Sequence, residues 1–212
     1  MTILVALGVL LVGRPSAARA GLILEIGNSV STVPGSGTFD VTIRSDGAGT
    51  YNLAGFQFDL VVAPAFQIDF TASRTTTGLG GAPAYVFATS LADLDANAPS
   101  NAASPLPATS LIVYDAEASG ARSITPASPV YALAQVSYLV KPTAPGNTVV
   151  PVLFGTVVLA DDNAQPIMDF QLVNGSITLS AVPEPTSLRL SLVLLSCVLG
   201  RVAWRRRNRK TL

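Results

Sequence analysis

The residues of this chain that could do chemistry are almost all carboxylates. Among its 212 residues there is no histidine, and the one cysteine, Cys197, lies in an apolar run near the C-terminus. A Ser-His-Asp triad, a Cys-His dyad and a histidine-built zinc site are therefore excluded. Three acidic pairs remain: Asp93 with Asp95, Asp115 with Glu117, and Asp161 with Asp162. Glycoside hydrolysis needs two carboxyl groups facing each other across about 5 to 9 Å, which sequence neighbours seldom provide, so solvated loop carboxylates are the simpler reading. Asp93-Leu94-Asp95-Ala96-Asn97 opens like an EF-hand calcium loop and then fails. Its sixth position is Ala98, where the turn needs Gly, and its twelfth is Ser104, where a bidentate Glu is needed. Asp161-Asp162-Asn163 offers oxygen ligands for calcium on a strand-to-strand loop, against the plainer reading of a polar turn. Gly78-Leu79-Gly80-Gly81 is followed by no Lys-Ser/Thr and is a turn rather than a phosphate cradle. None of these groups calls for a cofactor.

A second kind of chemistry is suggested by Pro183-Glu184-Pro185. Each proline fixes its own φ and keeps the preceding residue out of the helical region, so the triplet is an extended element. An apolar run from Leu188 to Trp204 follows, interrupted by Arg189 and Arg201 near its ends, and behind it sit Arg205, Arg206, Arg207, Arg209 and Lys210. The run is shortish for the span of about 20 residues that a bilayer asks of a helix, but the two arginines can reach the headgroups. The basic block belongs on the cytoplasmic face by the positive-inside tendency, which places everything before Pro183 outside. This tail resembles the PEP-CTERM sorting signal of bacteria with exopolysaccharide-rich envelopes. The resemblance implies recognition by exosortase, a membrane cysteine protease that acts at the triplet and releases or transfers the ectodomain. An ordinary C-terminal membrane anchor is the alternative.

At the other end, Ile3 to Val12 forms the apolar centre of a signal peptide, although no Lys or Arg precedes Arg14. Ala18-Arg19-Ala20 puts small residues at the two positions that a signal peptidase reads, which predicts cleavage before Gly21. The chain then divides into residues 1–20 as leader, 21–181 as ectodomain and 182–212 as sorting tail. In the ectodomain Arg44, Arg74, Arg122 and Lys141 are the only bases against twelve Asp and Glu, so the zero net charge of the whole chain hides an acidic domain. An acidic surface repels phosphate backbones, which excludes nucleic acid as a partner.

The exported part has no thiol, so disulfides cannot hold it and its stability must come from an apolar core. A segment of roughly 160 residues is long enough for one. Phe39, Val41 and Ile43 alternate with Thr38, Asp40, Thr42 and Arg44, and Ala54, Phe56, Phe58, Leu60 and Val62 alternate with Gly55, Gln57 and Asp59. This is the period of strands with one face in the core and one in water. Further strands are expected over residues 111–114, 132–140, 148–159 and 171–179, set apart by Pro- and Gly-containing connections. Residues 74–107, with Thr75-Thr76-Thr77 and three prolines between Asn97 and Pro107, form a long irregular insertion around a short strand at Tyr85 to Ala88.

Asn52-Leu53-Ala54-Gly55-Phe56-Gln57-Phe58-Asp59-Leu60 resembles a strand motif of cohesin-type domains. Leu111-Ile112-Val113-Tyr114-Asp115-Ala116, the run Leu133 to Val140, Leu159-Ala160-Asp161-Asp162-Asn163 and Val173-Asn174-Gly175-Ser176-Ile177 follow the same family's order. The resemblance implies an all-β, jelly-roll-like sandwich of about nine strands, the fold that cohesins share with some carbohydrate-binding modules. The proline-rich stretch from Pro99 to Pro107 departs from it. Tyr51, Tyr85, Tyr114, Tyr131 and Tyr138 alternate mostly with core positions, and Trp204 is in the tail, so no aromatic platform for sugars is legible. The expected function is that of an exported, non-enzymatic envelope or matrix protein, first membrane-anchored and then at the cell surface or outside it. Its ligand would be a protein, on the cohesin resemblance, or a polysaccharide, on the sorting signal. A secreted glycan-active enzyme using acidic residues is the alternative.

Overall fold

The computed structural model describes residues 21–47, 49–75, 83–89, 91 and 108–181. The leader with Ala18 and Ala20, the Pro183-Glu184-Pro185 tail with its expected membrane span and its basic end, and Asp93 and Asp95 lie outside the described residues. Among those described, no helix is long and apolar enough to cross a membrane.

The described chain is all-β apart from one 3-10 turn, Pro64–Phe66. In order the strands are β1 (Leu22–Ile26), β2 (Ser29–Val33), β3 (Gly35–Ser45), β4 (Tyr51–Val61), β5 (Ile68–Arg74), β6 (Ser110–Ala116), β7 (Arg122–Ile124), β8 (Tyr131–Val140), β9 (Thr148–Asp161), β10 (Phe170–Val173) and β11 (Gly175–Ala181). They form a jelly-roll-like sandwich. Sheet A has the order β10-β1-β3-β8-β5 and sheet B the order β2-β11-β9-β4-β6, with β7 also paired to β4.

The eleven strands of the described residues are nine runs of chain, because the first and last runs each break and change sheet. At Gly27-Asn28 the chain leaves sheet A for sheet B, and at Asn174 it does so again. The two broken runs lie side by side: β1 pairs in parallel with β10, and β2 in parallel with β11. The crossings pack so closely that a Cβ on Gly175 would sit 2.6 Å from the Ile26 carbonyl oxygen, which only glycine avoids. The run 171–179, expected as one strand, is therefore two strands in different sheets.

Alternation decides what lies between the sheets. Leu22, Leu24 and Ile26 of β1, Phe39, Val41 and Ile43 of β3, and Phe56, Phe58 and Leu60 of β4 are buried. Phe58 stacks on Phe56 with ring centres 5.6 Å apart and meets Phe154 edge-on at 5.9 Å. In sheet A, Phe39 packs against Phe70 at 6.3 Å and Tyr138 at 6.0 Å, and the Tyr138 hydroxyl shares a 2.8 Å hydrogen bond with the Ser29 hydroxyl of β2.

The expected strand at Tyr85 to Ala88 is corrected to a single parallel bridge, Tyr85 to Ala132. Tyr85, Val86 and Phe87 are buried one after another, so this segment has no solvent face to alternate with; it fills space in the core, where Phe87 stacks on Phe56 at 5.7 Å.

Candidate functional site

In sheet B the inward setting of Phe56, Phe58 and Leu60 leaves Gly55, Gln57, Asp59 and Val61 on the outer face. Register assembles the rest of that face. Gln57 lies between Tyr114 of β6 and Val158 of β9, Asp59 is opposite Ile112, and Val61 lies between Ser110 and Leu153. On the far side, Thr178 of β11 lies between Val149 of β9 and Val30 of β2. Val30, Val61, Val149, Leu153 and Val158 are between 39% and 71% exposed. The single charge among the outward positions of these five strands is Asp59.

Asp59 sits where β9 bulges: Phe58 and Leu60 pair with Val157 and Phe154, so Gly155 and Thr156 together oppose it. A Cβ on Gly155 would come within 3.1 Å of the Asp59 Cβ, so the two backbones approach closely. The Asp59 Oδ1 is buried and has no hydrogen-bond partner among the described residues. A carboxylate oxygen left so is costly to the folded domain.

The outer face of sheet A is different. It carries Glu25, Asp40, Arg44, Asp69 and Arg74, and several of its polar groups have partners: Gln135 Nε2 donates to Asp40 Oδ1 at 3.2 Å, and Lys141 Nζ lies 2.8 Å from Asp69 Oδ2. One broad face is thus polar, with some of its charged groups paired across it, and the other is apolar and nearly uncharged.

The two acidic pairs among the described residues are taken up in local structure. Asp115 is buried, and its Oδ2 accepts the Tyr85 hydroxyl while Oδ1 accepts the Ala116 amide at 2.7 Å. Glu117, just past the end of β6, closes the turn at Ala88 and Thr89 by accepting their amides at 2.8 and 2.9 Å, with the Thr89 and Ser119 hydroxyls adding two more bonds. Desolvation pushes the Glu117 carboxyl up, but these bonds outweigh it and hold the group below the usual carboxylate range. An open cleft of about 350 Å³ beside Asp115 is lined, among the described residues, by Leu91, Tyr114, Asp115 and Ala116.

Asp161 is also used locally. Its Oδ1 accepts the amides of Asn163 at 2.9 Å and Gln165 at 2.8 Å, and Asp162 accepts from the Asn163 side chain at 3.0 Å. Two N–H groups on the same oxygen are the pattern of a polar turn. No group of three His, Cys, Asp or Glu suited to a metal occurs among the described residues.

Of the tyrosines, Tyr85, Tyr131 and Tyr138 are buried and Tyr51 and Tyr114 half-buried, so none offers a bare ring. Gly21, the predicted first residue of the mature chain, lies one residue before β1, with its nitrogen on the Asp46 carboxylate.

No family model and no curated protein matches the chain. Among solved structures it is similar to cohesin domains. The third ScaC cohesin of Acetivibrio cellulolyticus, solved with the ScaB dockerin, is 11% identical over 76% of this chain and 99% of that one, with a TM-score of 0.53. The seventh ScaB type I cohesin from Pseudobacteroides cellulosolvens is 18% identical over 78% and 96%, with a TM-score of 0.51. A non-cellulosomal cohesin from the archaeon Archaeoglobus fulgidus is 11% identical over 80% and 97%, also with a TM-score of 0.51. At these identities the likeness fixes the fold alone: the described residues form a cohesin-like sandwich.

Proposed function

We propose that residues 21–181 are a non-enzymatic binding module that takes a protein ligand on the outer face of sheet B. The observation that carries this reading is the face itself, where Val30, Val61, Val149, Leu153 and Val158 are exposed and Asp59 is the one outward charge, on a domain with twelve acidic residues. Apolar area of this kind, short of charges at its centre, is what protein interfaces bury. Asp59 then serves as the polar anchor, its carboxylate taking a donor from the partner. The like-folded ScaC domain was solved with a dockerin, a protein ligand, which supports the same class of partner here. A polysaccharide is less well matched, since the face has one aromatic ring, Tyr114, and it is half-buried. Screening the exported protein against a glycan array and by pull-down from envelope extract tests the reading. A defined protein should be captured and the array should stay blank; specific glycan signals without a protein partner would replace it.

In the same reading the chain is exported behind residues 1–20, cut before Gly21, and held briefly in the membrane by residues 182–212. Pro183-Glu184-Pro185 presents an extended backbone to an exosortase-type membrane protease, and Glu184 adds a charge just outside the bilayer. Arg205, Arg206, Arg207, Arg209 and Lys210 fix the direction of the span. Replacing Glu184 by Ala should leave export intact and keep the protein at its full tail-bearing mass in the membrane fraction. Equal release of wild type and variant would mean that the triplet is not what the protease reads, and release of neither would make the triplet a linker and Leu188 to Trp204 a permanent anchor.

A further inference from the structure

We infer that the α-ammonium created by cleavage before Gly21 is clamped by two carboxylates, Asp46 and Asp169, so that processing at this one bond completes an ion-pair cluster at the end of sheet A. The reaction is a hydrolysis. Water attacks the Ala20 carbonyl, the bond to the Gly21 nitrogen breaks, Ala20 leaves as a carboxylate, and the nitrogen takes up the released protons to become an ammonium.

The geometry for holding that ammonium is already in place. The Gly21 nitrogen donates to Asp46 Oδ1 at 3.0 Å, and the Asp46 amide returns a 2.8 Å bond to the Gly21 carbonyl. The next amide, Leu22, donates to the Asp169 carbonyl at 3.0 Å. A Cβ built on Gly21 would lie 2.9 Å from that carbonyl oxygen and 3.3 Å from Asp169 Oδ1, so glycine alone fits and the second carboxylate stands against its Cα.

Neither Asp46 nor Asp169 meets a cation among the described residues. Arg44, the nearest base on β3, stands opposite Ile23 in the register. The remaining titratable group in contact is Tyr51, whose hydroxyl donates to Asp169 Oδ2 at 3.1 Å. Burial first, and then Asp169 and Asp46, push that phenol above its usual value. Two carboxylates with one neutral amide and one phenol between them are short of positive charge. An ammonium at the Gly21 nitrogen supplies that charge and three donors in place of one.

The test is made on the full secreted chain. Mass spectrometry of its N-terminal peptide should identify Gly21 as the first residue. Competitive labelling across pH should show the α-amine titrating about one unit above its ordinary value near 8. In a chain that retains Ala20 both aspartates are intact but the amine is one residue beyond the clamp, and it should titrate at the ordinary value, as should the amine of Asp46→Asn and Asp169→Asn. A different first residue overturns the inference, as does an amine that behaves alike in the Gly21- and Ala20-headed chains.

Discussion

Phe58→Ala should destabilise the domain by about 3 to 5 kcal/mol, the cost of a large cavity in a core that cannot close over it. Phe58 has no exposed surface; it stacks on Phe56 and receives the edge of Phe154. Its backbone lies in the middle of sheet B, paired with Val113 of β6 on one side and Val157 of β9 on the other, so neither neighbour is free to move inward. Total stabilities of about 5 to 15 kcal/mol make this a large share. Urea unfolding should show a much lower midpoint with an unchanged slope, and a midpoint equal to that of wild type would mean that Phe58 is not in the core.

The same alternation that identifies Phe58 made most of the fold legible in the sequence. The expected strand over Ala54 to Val62 is β4, and those over residues 111–114, 132–140 and 148–159 are β6, β8 and β9. What escaped is where the chain changes sheet. Across Asn174 the residues keep a strand-like pattern, and only pairing reveals that Phe170–Val173 belongs with β1 and Gly175–Ala181 with β2 and β9. Leu22–Val33 was obscured in the same way by its crossing at Gly27-Asn28. β5 was missed because its bulge between Phe70 and Ala72 breaks the period just before the irregular insertion.

The candidate face was half visible. Thr148–Asp161 is apolar at outward positions as well as inward ones, with Val149, Leu153 and Val158 set against Val150, Val152 and Leu159. That is the signal of a strand that expects cover on both sides. Deciding which apolar set faces outward, and that Val61 and Val30 join it, needs the register with β4 and β11, which composition does not carry.

The second large effect is expected at that face. A charge placed at its exposed centre must be desolvated when a partner docks, and single central residues of an interface commonly carry about 2 to 4 kcal/mol, or roughly 30- to 1000-fold in affinity. Leu153→Asp should therefore weaken partner capture by about 100-fold. Leu139 is a matched control: it is also 43% exposed, but it points outward from sheet A, where Asp69 is its register partner. Both side chains point outward and are equally exposed, so urea unfolding should show both variants still folded. The measurement is the affinity of the captured envelope protein for wild type, Leu153→Asp and Leu139→Asp at equal loading. Loss with Leu153→Asp and full binding with Leu139→Asp is the predicted result; undiminished binding to Leu153→Asp, or loss confined to Leu139→Asp, would contradict the assignment of the ligand to the outer face of sheet B.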